Sequence, residues 1–296
     1  MRDPLPRPVL VGVDCSTAAR AAVAAGTEEA RLRSAPLRLL TVTDWPVRDV
    51  SVGGHAPDAI DLVRGGAEIQ LRNLAADAAD VLGADRVSWS VEDGDPVTAL
   101  VEAAADAQLL VLGSRGIGGV AGLLVGSTTS AVVTATPCPI VVLPDETAVV
   151  VRGRSSVVVG VEGRPEDEDV MAFAVAEALA RRTELVAVHA WQDAVLEAAF
   201  RSMGPLVDWA GVVADEERLL SEALAGWAEK EPALVVREVV VRERAAAALL
   251  ATAMTAQLLV VGHRHRRGIA RLGSTTHAVL QRAGCPLAVV PVGGAR

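Results

Sequence analysis

Gly113, Gly116, Gly126 and Ser127 stand in the run GSRGIGGVAGLLVGS, directly behind the apolar stretch Leu109 to Leu112. The spacing is glycine, two residues, glycine, nine residues, then Gly126-Ser127, and it predicts a backbone cradle for an anion. A buried strand delivers the chain, the glycines let amides turn inward with no Cβ in the way, and a helix starting near Ser127 offers unpaired N–H groups to phosphate. Arg115 places a positive charge inside the same loop. Far upstream, Asp14 and Ser16 follow another apolar run, Val9 to Val13. Open parallel sheets bind ligands at the carboxyl ends of their strands, where strand order reverses. If the strands before Asp14 and Gly113 are neighbours, a carboxylate faces the cradle across one crevice. That arrangement suits a nucleotide, with ribose or base at one end and phosphates at the other. Periodicity alone leaves the adjacency open.

Micromolar binding corresponds to about −8 kcal/mol, whereas one helix N-terminus supplies at best roughly 2 kcal/mol. Several backbone donors, burial of the base and Mg²⁺ on the phosphates must therefore share the task. The lysine-bearing phosphate loop is excluded, because no GK[ST] occurs. A dinucleotide fingerprint is disfavoured too, since its glycines follow a first strand, and these follow a fourth.

The elements that must position these residues occur twice. Ala107 to Gly113 (AQLLVLG) recurs as Ala256 to Gly262 (AQLLVVG), Gly126 to Thr129 as Gly273 to Thr276, and Cys138-Pro139 as Cys285-Pro286. Val9 to Asp14 (VLVGVD) is answered by Val157 to Glu162 (VVVGVE). Each copy has the size of one domain. Short Val/Leu-rich runs alternate with longer Ala/Glu/Arg stretches, the pattern of strands buried on both faces and joined by crossover helices, so each copy is an α/β domain with a parallel sheet. In copy one the strands fall near 8–13, 37–43, 86–92, 109–113 and 139–143, with helices near 17–33, 58–83, 96–107 and 127–136. In copy two the strands fall near 156–161, 184–190, 234–241, 257–262 and 286–291. The domains are 1–146 and 156–296, with the segment Pro144 to Ser155 as linker. The apolar stretch Ala245 to Val261 reads as a helix followed by a strand and not as a membrane span.

A net charge of −9 over 296 residues repels nucleic acid and anionic membrane, and 2% aromatic content with no tyrosine leaves few platforms for stacking bases. The three cysteines Cys15, Cys138 and Cys285 form no CxxC pair, which fits a reducing cytoplasm, and the N-terminus has no apolar targeting segment.

Val9 to Ser16 with its D-x-S ending, Gly94-Asp95-Pro96 leading through Leu100 and Ala104 into Leu109 to Gly116, and Pro137 to Val142 together resemble the universal stress protein family. The whole chain is similar to a tandem of that domain. The resemblance implies doubly wound five-stranded parallel sheets of order 3-2-1-4-5, and ATP bound in members with the spacing that copy one carries. It implies that Asp14, Ser16 and Val42 hold adenine and ribose, the last through its backbone. Gly113, Arg115, Gly116, Gly126, Ser127 and Thr128 hold phosphates. It also implies a regulatory role, in which ATP acts as a signal that alters a surface offered to a protein partner. The last strands, Ile140 to Leu143 and Leu287 to Val290, are expected to pair the copies as a pseudo-dimer, and further association into homodimers is in keeping with it.

Copy two departs from this pattern. His265 replaces the second glycine, the glycine loop is two residues shorter, Glu162 stands for Asp14, and Arg242-Glu243-Arg244 replaces the Gly94-Asp95-Pro96 turn. A side chain forced to left-handed φ costs roughly 1–2 kcal/mol, and the deletion shifts the helix start, so copy two is expected to bind ATP poorly or not at all. His263, His265 and His277 with Arg264, Arg266, Arg267 and Arg271 form a basic cluster, read as a solvated loop or a surface for another anion, since HxH lacks a third metal ligand of obvious spacing. The tryptophans, Trp45 and Trp191 among them, read as core or interface packing. Asp14 could equally cap the helix that follows it. No GxSxG elbow, HExxH helix or Ser-His-Asp signature appears, and Asp14 and Asp44 have no visible base or nucleophile partner, so no enzyme is expected beyond slow ATP hydrolysis. The remaining alternatives are an exposed glycine loop that binds nothing, which would leave a tandem scaffold, and a nucleotide-dependent hydrolase.

Overall fold

The computed structural model of the chain describes residues 6–14, 16, 18–44, 56–116, 125–144, 155–165, 167–192, 208–264 and 272–293. The chain divides into two compact units, Met1–Thr147 and Ala148–Arg296.

Unit 1 runs β1 (Val9–Gly12), α1 (Ala19–Leu32), β2 (Leu37–Thr43), α2 (Ala56–Leu82), β3 (Val87–Asp93), α3 (Pro96–Ala104), β4 (Leu109–Gly113), α4 (Ser127–Ala135) and β5 (Ile140–Leu143). Its sheet has the order β3-β2-β1-β4-β5, with every pairing parallel. The continuous apolar runs explain the architecture. Val9, Leu10, Val11, Leu109, Leu110 and Val111 are wholly buried, which requires cover on both faces of the sheet, and crossover helices supply it. Val9 pairs with Leu109 and Val11 with Val111, so strands one and four are neighbours and the strand order reverses between them.

Unit 2 repeats the plan with β6 (Ser156–Gly160), α5 (Asp167–Arg181), β7 (Glu184–Ala190), α6 (Trp209–Lys230), β8 (Val236–Val241), α7 (Ala245–Thr252), β9 (Ala256–Arg264), α8 (Ser274–Arg282) and β10 (Leu287–Val292). Its order, β8-β7-β6-β9-β10, is again 3-2-1-4-5 counted within the unit, and all its pairings are parallel. The stretch Ala245 to Val261 is a helix followed by a strand, and among the described residues no helix is long and apolar enough to cross a membrane. The expected linker lies, apart from Pro144 and Ser155, outside the described residues.

One strand departs from expectation. β9 continues through His263 and Arg264, because β10 also runs further and pairs Pro291 with His263 and Val292 with Arg264. The start of the basic cluster is therefore sheet and not loop. His263 is buried, Arg264 is ion-paired, and His277 is exposed on α8. His265, Arg266, Arg267 and Arg271 lie outside the described residues, as do Cys15 and Trp45.

The two units share structural devices as well as topology. On α1, Glu29 pairs with Arg33 at 3.4 Å, and on α5, Glu177 pairs with Arg181 at 2.8 Å, all four side chains being largely buried. Immediately beyond each helix sits a residue in the left-handed region, Ser34 and Arg182, both at φ 52°. That conformation reverses the chain into the next strand, as the bond from Ala35 N to the Ala30 carbonyl (2.9 Å) and that from Thr183 N to the Ala178 carbonyl (3.0 Å) show. It is a helix ending at which glycine carries no Cβ penalty. Ser34→Gly and Arg182→Gly are each expected to stabilise the fold by up to about 1 kcal/mol, the relief of strain exceeding the entropy that glycine adds to the unfolded chain. Urea unfolding followed by circular dichroism checks this, with a higher midpoint at unchanged slope as the expected result.

Candidate functional site

The nine residues singled out in unit 1 line one cavity. Asp14, Ser16, Val42, Gly113, Arg115, Gly116, Gly126, Ser127 and Thr128 all border a space of about 360 Å³. This falls within the roughly 300–1,000 Å³ of small-molecule sites. It opens where β1 and β4 diverge. Leu40, Pro96, Leu100 and Leu112 complete an apolar wall that was not assigned to the site from the sequence. Pro96, Leu100 and Leu112 stood in the family-like segments, and Leu40 lies within β2, beside β1. Asp44, beyond the end of β2, is not among the lining residues.

Asp14 is held by its own loop. Its Oδ1 accepts the Ser16 amide at 3.1 Å and also the Ser16 hydroxyl, and Gln70 on α2 donates to its carbonyl at 3.3 Å. It does not cap the following helix, since the N-cap of α1 is Ala18, with no side-chain cap bond. The carboxylate instead faces the cradle. A Cβ built on Gly116 would lie 2.4 Å from Asp14 Oδ2. A side chain at 116 would have to displace the Asp14 carboxylate from this position.

That replaces one expectation. Among the described residues, positive-φ glycines are Gly83, Gly94, Gly163 and Gly293, so Gly113, Gly116 and Gly126 do not adopt left-handed backbone. Gly126 has φ −69°, and a Cβ there would meet only ordinary contacts, the nearest being the Ser114 carbonyl at 3.6 Å. The strain argument against copy two therefore does not hold, and space takes its place.

The glycine end of the cleft is anchored from both sides. The Gly126 amide donates to the Ser114 carbonyl at 2.7 Å, and the Thr129 hydroxyl on α4 donates to the Gly113 carbonyl at 2.9 Å. α4 starts at the N-cap Gly126, which has no side chain to bond the amides of its first turn. Such a helix start is a ready receptor for an anion.

Unit 2 has the same anchor, with the Thr276 hydroxyl donating to the Gly262 carbonyl at 3.0 Å, and a larger cleft of about 530 Å³. Its contents differ. Arg264, directed by the extended β9, donates to the Glu162 carboxylate at 2.8 Å, and Arg164 lies 3.2 Å from the same carboxylate. The acid that stands for Asp14 is thus engaged by two guanidinium groups. His189 ties the frame behind it, with Nδ1 at 2.8 Å from the Val161 carbonyl and Nε2 at 2.9 Å from Glu216 on α6. No group of three or more potential metal ligands occurs among the described residues.

The tryptophans also differ from expectation. Trp89, Trp191, Trp209 and Trp227 are half-buried, and each has a cation over its ring: Arg72, Arg242, Arg242 and Lys230 respectively. They are rim residues and not core, since an indole can stack with a cation while its other side packs on protein.

A tandem of doubly wound α/β units, each with a ligand-sized cleft at the point where its strand order reverses, is the class of protein that this fold and site define. The sequence model of the universal stress protein family matches residues 6–144 and again 153–291. Universal stress protein Rv2005c of Mycobacterium tuberculosis is 35% identical over 297 residues, covering 95% of this chain and 96% of its own. Universal stress protein Rv2623 of the same species is 34% identical over 291 residues, covering 95% of both chains. Among solved structures, a universal stress protein from Archaeoglobus fulgidus shares the fold with a TM-score of 0.68 at 19% identity, covering 97% of this chain and 99% of that one. The chain belongs to the universal stress protein family.

The wall of the unit 1 cleft yields a pH prediction. Asp95 caps α3, accepting the Thr98 amide at 2.8 Å and its hydroxyl at 2.7 Å, and these bonds hold its carboxyl below the ordinary carboxylate range. A depressed folded-state pKa contributes stability that is present above the unfolded value, about 3.9, and is lost as the pH falls through the folded one. Asp95→Ala is expected to lower the melting temperature at pH 7, with the gap to the parent protein narrowing as the pH falls below the unfolded carboxyl value and through the lower folded one. Thermal melts across that range check the sign.

Proposed function

We propose that the chain is an ATP-binding regulatory protein of the stress response, with the nucleotide and Mg²⁺ held in the unit 1 cleft. Asp14 and Ser16 take the ribose and the backbone at Val42 takes the base. Gly113, Arg115, Gly116, Gly126, Ser127 and Thr128 surround the phosphates. The observation that carries this reading is the convergence of these nine residues, from three separate stretches of chain, on one cavity. Gly116 brings the cradle within contact of the Asp14 carboxylate, and the start of α4, whose N-cap Gly126 has no side chain, supplies backbone donors. Among the described lining residues Asp14 and Arg115 are the titratable side chains, a set that fits binding better than acid–base turnover. ATP is then a signal: its occupancy orders the Gly113 to Ser127 loop and alters a surface read by a protein partner in the cytoplasm.

Unit 2 binds ATP weakly in this reading, because Arg264 and Arg164 engage Glu162 at the position where unit 1 offers a carboxylate to the ribose.

Ultraviolet absorbance and mass spectrometry of the purified protein, followed by calorimetric titration with Mg-ATP, test the proposal. One site per chain is expected. Gly126→Val is expected to weaken binding tenfold or more with little change in melting temperature, since its Cβ meets no tight contact. Gly116→Ala is expected to do the same by displacing the Asp14 carboxylate. No co-purifying nucleotide and no heat on titration would leave a tandem scaffold instead, and phosphate release that vanishes with Asp14→Ala would make it a hydrolase.

A further inference from the structure

The two units carry opposite charge at the same place in the fold. Between β3 and α3, unit 1 has Asp93, Gly94 and Asp95, and both carboxylates are occupied, Asp93 by Thr43 and Arg64 and Asp95 by Thr98. Between β8 and α7, unit 2 has Arg242, Glu243 and Arg244. Arg242 lies against two indoles, its guanidinium carbon 3.8 Å from the Trp209 ring centroid and 5.5 Å from that of Trp191. The two rings stand 6.3 Å apart and are inclined by 32°. Trp191 is set at the end of β7 by its amide bond to the Val241 carbonyl, and Trp209 opens α6 behind the Asp208 cap. The rings are half-buried, whereas Arg242 and Arg244 are exposed.

A guanidinium fixed on aromatic faces has lost much of its freedom yet keeps its N–H edge for a ligand. Among the described residues, neither the Arg242 nor the Arg244 guanidinium is engaged by a carboxylate or a hydrogen-bond acceptor. Neither lines the unit 2 cleft itself, but the chain places both next to residues that do. Ala190, which lines it, is the register partner of Val241, the residue before Arg242, and the lining residue Ala245 directly follows Arg244. At the glycine end of the same cleft, the charge of Arg264 is answered by Glu162. The lining carries an aliphatic strip of Val161, Val170, Val188, Leu249 and Val261, alongside the polar residues Asp167, His263, Ser274, Thr275 and Thr276.

We propose that the unit 2 cleft binds an organic anion, a carboxylate or phosphate monoester on an apolar body, with the anionic group on Arg242 and Arg244 and the body against the aliphatic strip. Paired N–H donors match both anions in geometry. Burial of the body supplies the driving force, and the charge fixes its direction in the cleft. The polarity is the reverse of that proposed for unit 1, with the anion at the β8 turn and not at the glycine loop. The inference does not depend on ATP binding in unit 1.

Tryptophan emission of the full-length chain reads the site directly, because two of its indoles hold Arg242. Decanoate and decyl phosphate are the probes, each kept below the concentration at which it self-associates, with decanol and inorganic phosphate as partial ligands. Saturable change with at least one of the two amphiphilic anions is expected, at least tenfold tighter than with decanol and beyond the reach of inorganic phosphate. Whichever binds more tightly identifies the anion class. The double variant Arg242→Gln, Arg244→Gln is expected to lose tenfold or more while keeping its melting temperature, and Arg242→Lys to recover only part of that loss. Leu249→Trp, which fills the cleft, is expected to abolish the response. Calorimetric binding of Mg-ATP serves as the separate readout of unit 1 and is expected to be the same in all these variants. Equal binding of decanol and decanoate, undiminished binding by the double variant, displacement of the probe by stoichiometric ATP, or no saturable response to either anion would each overturn the proposal.

Discussion

β1 pairs with β2 on one side and β4 on the other, and the chain leaving it turns to one face of the sheet while the chain leaving β4 returns to the other. Two connections that diverge from adjacent strand ends leave a gap that no crossover covers. Every feature of the unit 1 cleft depends on that gap. The Asp14 carboxylate stands on one lip and the glycine loop on the other, and the absence of a side chain at Gly116 lets that carboxylate lie against the loop. β6 and β9 create the same opening in unit 2. The burial of both faces of these strands, written in runs such as VLVGV and LLVLG, thus produces a ligand-sized space as a by-product of covering the sheet.

Much of this was legible in the sequence, for identifiable reasons. Fully buried parallel strands read as unbroken apolar runs, so β2 and β4 fall where 37–43 and 109–113 were expected. The internal repeat supplied a second reading of each element. The glycines and Asp14 of the unit 1 cleft were legible because glycine spacing and a strand-end carboxylate are local signals, whereas Ser16, Val42 and Thr128 rested on the family resemblance, as did the adjacency of β1 and β4 that the coordinates show. What escaped was set by contacts distant in sequence. β9 extends to Arg264 because β10 continues beside it, which no window around His263 reveals. The purpose of Gly116 was misread for the same reason, since its constraint is Asp14, about a hundred residues away, and not its own torsion angle. The tryptophans read as core or interface packing because aromatic residues are usually counted as hydrophobic, whereas Arg72 over Trp89 and Arg242 over Trp191 and Trp209 come from other elements.

The copies therefore differ in a particular way. The sheet order, the threonine that ties the fourth helix to the fourth strand and the buried ion pair on the first helix are common to both. The rims of the clefts are not. The carboxylates Asp93 and Asp95 of unit 1 are replaced by the arginines Arg242 and Arg244 at the corresponding turn of unit 2, and a carboxylate bonded to its own loop at Asp14 corresponds to one bonded by arginine at Glu162. Rim residues are largely exposed and bear little of the packing, so they can change at small cost to stability, whereas the strand interiors cannot.

The left-handed residues Ser34 and Arg182 sharpen this contrast. Neither is glycine, so each unit retains the same small local strain 148 residues apart, at a joint remote from either cleft. An imperfection shared at corresponding joints, between chemically unlike side chains, means that the backbone path and not the residue dictates the bend. The frame behaves as an interchangeable chassis. Loops could be exchanged between the halves at matching strand ends without re-engineering what lies beneath them, and duplication of such a frame leaves one half free to acquire a new ligand while the other keeps its own.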